Sequence, residues 1–168
     1  MYSYIFNNKL ITDKQSGYIY KDSTIKQLLS ITHDIYKAFD SGHEVRAIFL
    51  DISRAFDRVW HDGLIYKLKM KGIGGDMINI LASFLSDRGQ LVTIDGQFSE
   101  WTSIEARVPQ GSILRPILFL VYINNLVDVV DSNIEIFADD IFIYCIVCQF
   151  STELLTNNLY KIKEWVHM

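Results

Sequence analysis

The sequence predicts an α+β fold, with helices segregated on one face of a small antiparallel sheet. Three observations lead there. The run Ile136-Phe137-Ala138-Asp139-Asp140-Ile141-Phe142-Ile143-Tyr144 reads as two apolar strands joined by a tight turn that carries adjacent aspartates. A second apolar strand, Val45 to Leu50, ends in Asp51. Segments with helical apolar spacing surround these strands, in the order helix, strand, two helices, hairpin, helix, hairpin, helix. The chain has 168 residues, the size of one ordinary domain, and 49% of them are apolar against 21% charged. That balance supports a sizeable core and excludes wholesale disorder.

Each element has a local reason. Met1 to about Gln15 has weak periodicity and reads as a piece of something larger. From Ser23 to about Ser41 a helix is expected, capped by Ser23 or Asp22, with Ile25, Leu28, Leu29, Ile31, Ile35, Tyr36 and Phe39 as its apolar face. Ser41-Gly42 closes it. After the strand come helices from about Asp62 to Lys71 and from Asp76 to Leu85, separated by Gly72, Gly74 and Gly75. Gln90–Ile94 and Trp101–Ile104 read as hairpin strands around Asp95-Gly96, a strong turn signal. Ser112 then caps a long helix to about Val130, with Pro116 near its first turn, where a missing donor is best tolerated. A last helix, about Ser151 to Val166, has Ser151 or Thr152 as cap and turns Leu154, Leu155, Leu159, Ile162 and Trp165 inward. No repeat, low-complexity segment or linker divides the chain.

Charge and cysteines narrow the function classes. The net charge is −4, the opposite of the basic surplus usual in nucleic-acid binders, although bound cations would offset several carboxylates. Cys145 and Cys148, the only two cysteines, are too few for a tetrahedral zinc site, and no histidines lie at ligand spacing nearby. Both are expected to be ordinary buried thiols. No apolar run is long enough to cross a membrane; the longest, Pro116 to Ile123, runs into Asn124-Asn125. With no secretory signal, the expected location is intracellular, in cytoplasm or nucleus.

The chemistry concentrates in three segments. Carboxylates beside apolar strands are costly unless neutralised, and hard oxygen ligands suit magnesium. Pairing the strand that ends at Asp51 with the acidic hairpin would gather Asp51, Asp139 and Asp140 into a cluster able to hold two metal ions on a transferring phosphate. Phe56, five residues beyond Asp51, is placed to wall such a site; the alternative is that Asp51 caps a helix and Phe56 is core. Asp57 reads as structural, paired with Arg58 or a backbone amide. The segment Arg107 to Pro116 feeds a helix N-terminus that favours anions, with Gln110 offering donor and acceptor and Pro109 and Gly111 shaping the loop. In isolation it is an ordinary helix start.

Taken together, Phe49-Leu-Asp51-Ile-Ser-Arg-Ala-Phe56-Asp57-Arg-Val-Trp60-His61, Val108-Pro-Gln-Gly-Ser112, Ile117 to Asn124 and Phe137-Ala-Asp139-Asp140 resemble motifs A, B and C of reverse transcriptases, most closely those of jockey-type non-LTR retrotransposons. The likeness extends to Ser83–Arg88, to Gln15-x-Gly17-Tyr18 and to Ser23-Thr24, covering about residues 12 to 166. It implies a right-hand polymerase palm (a small antiparallel sheet packed on helices) with partial fingers and no thumb. It also implies one domain over residues 1–168, with about 1–44 as partial fingers and 45–168 mainly palm. Asp51, Asp139 and Asp140 would ligate two Mg²⁺ (or Mn²⁺), assisted by the carbonyl of Ile52. Phe56 would exclude a ribose 2′-hydroxyl, and Gln110 and Gly111 would lie near template and nucleotide. The implied reaction joins a dNTP to the 3′-hydroxyl of a DNA primer on an RNA template, as part of a longer parent with thumb and endonuclease regions.

The chain departs from the motif pattern at several positions. Ile19 and Asp22 stand where arginines are usual, and Arg107 and Arg115 where glycines are usual. Asn125 replaces a common aspartate and Ile141 a common threonine, and the sequence stops at Met168, before the motif D lysine. A positive φ at Arg107 or Arg115 would cost roughly 1–3 kcal/mol. Two alternatives follow: a non-catalytic remnant with weak metal or nucleic-acid binding, and a two-metal phosphohydrolase or nuclease. The second is disfavoured because no histidine or lysine lies within five residues of Asp51, Asp139 or Asp140.

Overall fold

The computed structural model describes residues 1–104, 106–147 and 152–167. In chain order the elements are helices α1 (Tyr2–Asn7) and α2 (Thr24–Asp40), strand β1 (Glu44–Asp51), and helices α3 (His61–Met70) and α4 (Gly75–Leu85). Four short strands follow: β2 (Gly89–Gln90), β3 (Thr93–Ile94), β4 (Gln97–Phe98) and β5 (Thr102–Ser103). Helix α5 (Leu114–Ile123), strands β6 (Asn133–Phe137) and β7 (Asp140–Val147) and helix α6 (Thr152–His167) complete the chain. Short 3₁₀ turns occupy Ala55–Asp57 and Asn124–Asp128. This is the expected α+β class. Two compact units are present, Met1–Ser53 with Ile123–Met168, and Arg54–Tyr122.

In the first unit the sheet has the order β1-β7-β6, antiparallel throughout. Its centre is β7, whose Ile141 to Cys145 are all buried, and Val45 pairs with Ile146 through to Asp51 with Asp140. Cys148 and Ser151 lie outside the described residues; Cys145 is buried as expected, and that burial raises its thiol pKa. Helix α2 starts where its sequence says, with the Ser23 hydroxyl accepting from Lys26 N at 3.2 Å. Its apolar stripe faces inward only in part, with Leu28, Ile31 and Ile35 bordering a cavity against the sheet. Ile25, Leu28, Leu29, Tyr36 and Phe39 are each more than half exposed, whereas Gln27 and Ala38 are buried. The reason is polar: Gln27 Nε2 donates to the Ile136 carbonyl at 2.9 Å, and the Tyr144 hydroxyl donates to Asp34 Oδ2 at 2.5 Å, so the helix docks by its hydrogen-bonding side.

The second unit packs α3 on α4 through Leu64, Leu68, Ile78, Leu81 and Leu85, all buried. Asp95 and Gly96 form the expected turn, with φ of +49° and +79°. The strands around it are shorter than the sequence predicts. Thr93 pairs with Phe98 and Ile94 with Gln97; Ser99 N then donates to the Val92 carbonyl while Ser99 Oγ accepts from Val92 N, and the ladder resumes at Gln90–Thr102 and Gly89–Ser103. Helix α5 ends at Ile123 instead of Val130, giving way to the 3₁₀ turn at Asn124, whose Oδ1 accepts from Thr12 N at 2.7 Å. Pro116 sits in its first turn. Among the described residues no helix is long and apolar enough to cross a membrane.

Candidate active site

Register places the acidic residues. Phe137 pairs with Asp140, leaving Ala138 and Asp139 as a two-residue hairpin loop. Ala138 takes the first loop position with φ +56°, a conformation that hairpins usually give to glycine, aspartate or asparagine. On the other side of β7, Asp51 lies directly opposite Asp140. Opposed residues have Cα atoms about 4.5–5.5 Å apart, so these carboxylates can share one cation. Burial is not their situation: Asp51 and Asp140 are exposed at the strand ends and Asp139 is half-buried. Among the described residues no three His, Cys, Asp or Glu side chains converge at metal-binding distance, so what stands ready is an opposed Asp51–Asp140 pair with Asp139 beside it. As hard, accessible oxygen donors the pair fits Mg²⁺ or Mn²⁺, and Ile52 follows Asp51 directly.

The surroundings of this pair are largely apolar. A cavity of about 520 Å³ between α2 and the sheet runs up to Asp51 and Asp140, lined by Leu28, Ile31, Ile35, Phe49, Phe137 and Phe142. Glu135, also on its wall, is bound by Lys14 at 3.2 Å. Sequence periodicity missed two residues here, Gln15 and Ser16, which are buried against the hairpin. Ser16 N donates to the Ile136 carbonyl at 2.9 Å, and Ile136 N to the Lys14 carbonyl at 2.8 Å. Only the Gln15-x-Gly17 likeness signalled them.

The second unit carries Phe56, Gln110 and Gly111. Phe56 sits in the 3₁₀ turn after Arg54 (φ +54°), its ring centroid 4.4 Å from that of Phe119. The Arg115 guanidinium lies over the Phe56 ring at 4.6 Å. Asp57 does not pair with Arg58. Its Oδ1 accepts from Arg107 Nε at 3.0 Å and lies 3.9 Å from Arg115 Nη2, so both arginines that replace expected glycines meet one carboxylate. The expected strain is found at Arg107, φ +113°, and not at helical Arg115. Arg107 also donates to Gln90 Oε1, and its carbonyl accepts from His61 Nε2 at 2.8 Å. Gln110 is exposed in a turn with Gly111, φ +76°. Ser112 Oγ accepts from Leu114 N at 3.1 Å, opening α5.

Comparisons with known proteins identify the family. The family profile "Reverse transcriptase (RNA-dependent DNA polymerase)" matches residues 2–167. The chain is 39% identical over 118 residues to a "Probable RNA-directed DNA polymerase from transposon BS" of Drosophila melanogaster, covering 70% of this chain and 13% of that protein. It is 36% identical over 140 residues to the "RNA-directed DNA polymerase from mobile element jockey" of the same species, covering 79% and 15%. With the jockey polymerase of Drosophila funebris the identity is 34% over 163 residues, covering 90% and 18%. The chain thus spans less than a fifth of the length of these relatives. A match across nearly all of its residues, on top of an Asp51–Asp140 pair set by strand register, shows that the chain belongs to the reverse transcriptase family.

Proposed function

We propose that this chain carries the palm chemistry of an RNA-directed DNA polymerase of a non-LTR retrotransposon, using RNA template, DNA primer and dNTP. One observation carries the reading: strand register sets Asp51 opposite Asp140, one residue from Asp139, in a chain of this family. In the reaction the primer 3′-hydroxyl oxygen bonds to the α-phosphorus of the dNTP. The bond to the bridging oxygen of the β-phosphate breaks, pyrophosphate leaves, and the hydroxyl proton is lost. Asp51, Asp139 and Asp140, with the Ile52 carbonyl, are the residues that would hold Mg²⁺ or Mn²⁺. The chemistry supplied by the bound ions is acidification of the hydroxyl and neutralisation of phosphate charge. Asp51 and Asp140 do their part by sitting exposed at strand ends, where a cation enters without unfolding the sheet.

In the second unit, Phe56 is the proposed sugar gate. A ring held between Phe119 and the Arg115 guanidinium is a stiff wall, which is what rejection of one hydroxyl requires. Gln110 is exposed with both donor and acceptor available to a template base or backbone, and the turn at Gly111 presents it. The test is primer extension on poly(rA)–oligo(dT) with dTTP and Mg²⁺ or Mn²⁺, beside Asp139→Asn. Extension by the wild type and none by the variant is expected. Folded wild-type protein that does not extend the primer refutes polymerisation by this chain.

A further inference from the structure

We propose that Gln15 is a positioning residue for the acidic hairpin: its buried carboxamide, bonded to both polar backbone groups of Ala138, sets the loop that presents Asp139 and Asp140. The proposal rests on the reading of that hairpin as the metal-binding site, and it assigns the site's geometry to a segment more than a hundred residues away in sequence. In a two-residue hairpin the flanking residues, here Phe137 and Asp140, bond to each other, while the first loop residue keeps an N–H and a C=O outside the ladder. Water usually meets those groups. Ala138 is only 6% exposed, so the protein must supply the partners itself.

Gln15 does so. Ala138 N donates to Gln15 Oε1 at 2.8 Å, and Gln15 Nε2 donates to the Ala138 carbonyl at 3.2 Å. Gly17 N donates to the same Oε1 at 2.7 Å, and two N–H groups converging on one oxygen settle which way the amide points. With 3% exposure the carboxamide has no water to exchange these bonds with. It therefore clamps a residue whose φ of +56° an alanine does not adopt unaided. Gly17 completes the clamp, since a Cβ there would stand 2.2 Å from Ala138 N. The bridge between Gln15 and Ile136 delivers the side chain to this point. Gln27 is a natural comparison, because it too is buried and bonds the Ile136 carbonyl yet makes no bond to the loop.

The experiment uses the full chain with Gln15→Leu, Gln27→Leu and Asp140→Asn, read by Mn²⁺ titration and by amide hydrogen exchange at Ala138 and Asp139. Partners that orient metal ligands usually matter by about tenfold or more, so Q15L is expected to weaken Mn²⁺ binding by about tenfold and Q27L by less than about twofold. The Ala138 and Asp139 amides of Q15L are expected to exchange about tenfold faster, relative to Ile143 in the core of β7. Wild-type affinity in Q15L, with D140N losing Mn²⁺, overturns the proposal. Wild-type protein that binds no Mn²⁺, or D140N that binds as well as wild type, overturns the metal-site reading instead; unchanged exchange in Q15L then overturns the clamp. Should Q15L fail to fold, Gln15→Glu keeps an acceptor for Ala138 N and loses the donor to its carbonyl. It is expected to weaken Mn²⁺ binding by about threefold or more, and wild-type binding overturns the proposal equally.

Discussion

Replacing Asp57 by alanine removes the carboxylate that Arg107 and Arg115 share, and the consequence can be worked out from the distances. The Arg107 Nε–Oδ1 contact at 3.0 Å is a charge-assisted hydrogen bond. Such bonds contribute about 1.5–3 kcal/mol when sheltered. With side-chain exposures of 29% and 37%, solvent screening brings this one to about 1–1.5 kcal/mol. Arg115 at 3.9 Å is beyond hydrogen-bonding range and adds about 0.5 kcal/mol of screened attraction. Asp57→Ala should therefore cost about 2 kcal/mol, or about 4–8 °C in Tm for a chain of this size. Arg107→Gly loses the same bond but relieves a φ of +113°, a gain of about 1–3 kcal/mol, so alone it should be close to neutral. In the Arg107→Gly background Asp57→Ala should then cost only the remaining ~0.5 kcal/mol, a coupling of about 1–1.5 kcal/mol. Urea unfolding of the four proteins of the cycle, followed by tryptophan fluorescence, measures this; Trp60, bridged to Ala106 beside Arg107, is a local reporter. An Asp57→Ala cost that is the same in both backgrounds would refute the shared-carboxylate argument.

Two further predictions concern pH. Burial, and then Lys71, pulls Lys67 from 10.5 down to about 8, so the unfolded chain binds more protons between those values. The penalty is fully present below about pH 8 and is relieved as pH rises to about 10.5; Lys67→Met should flatten that rise in urea midpoints measured across the window. Burial, and then the Asp34 partner, push the Tyr144 phenol well above its usual 10.0, so its stabilisation is complete below pH 10 and is lost as pH climbs toward the folded value. Tyr144→Phe should lower stability at pH 7 by about 1–2 kcal/mol through the lost bond to Asp34, and should soften alkaline unfolding above pH 10. A steeper alkaline transition in this variant would contradict the assignment.

The elements that were legible in the sequence are those set by neighbours. Ser23 caps the helix three residues ahead of Lys26, Asp95-Gly96 turns with both residues left-handed, and the alternation around Asp139-Asp140 encodes a hairpin. Pairing the two apolar strands brings Asp51 to the hairpin turn, as expected, but among the described residues the three carboxylates do not converge into the expected cluster. What stayed hidden depends on distant partners. The Ile136 carbonyl needs Gln27 and Ser16, which brings Gln27 of α2 against the sheet and leaves much of the apolar stripe exposed, and periodicity has no term for that demand. Asn124, read as mid-helix, instead answers Thr12 across the chain. Gln15 lies in a stretch of weak periodicity, and its value shows only once Ala138 is seen to be left-handed. The carboxylates were expected to be buried from their apolar neighbours in sequence, but strand ends open to solvent even when strand centres do not.

The division of the chain has a consequence for how it folds. Arg54–Tyr122 is one continuous stretch, whereas the sheet is assembled from segments on either side of it. During synthesis the inserted stretch can condense as soon as it emerges, while β1 waits exposed for β7. Joining Asp51 to Asp140 closes a loop of about 90 residues, whose entropy cost of about 4 kcal/mol is offset only when the whole ladder zips. The Asp51–Asp140 opposition therefore requires the β1–β7 ladder to close, and its order reports on completion of the sheet.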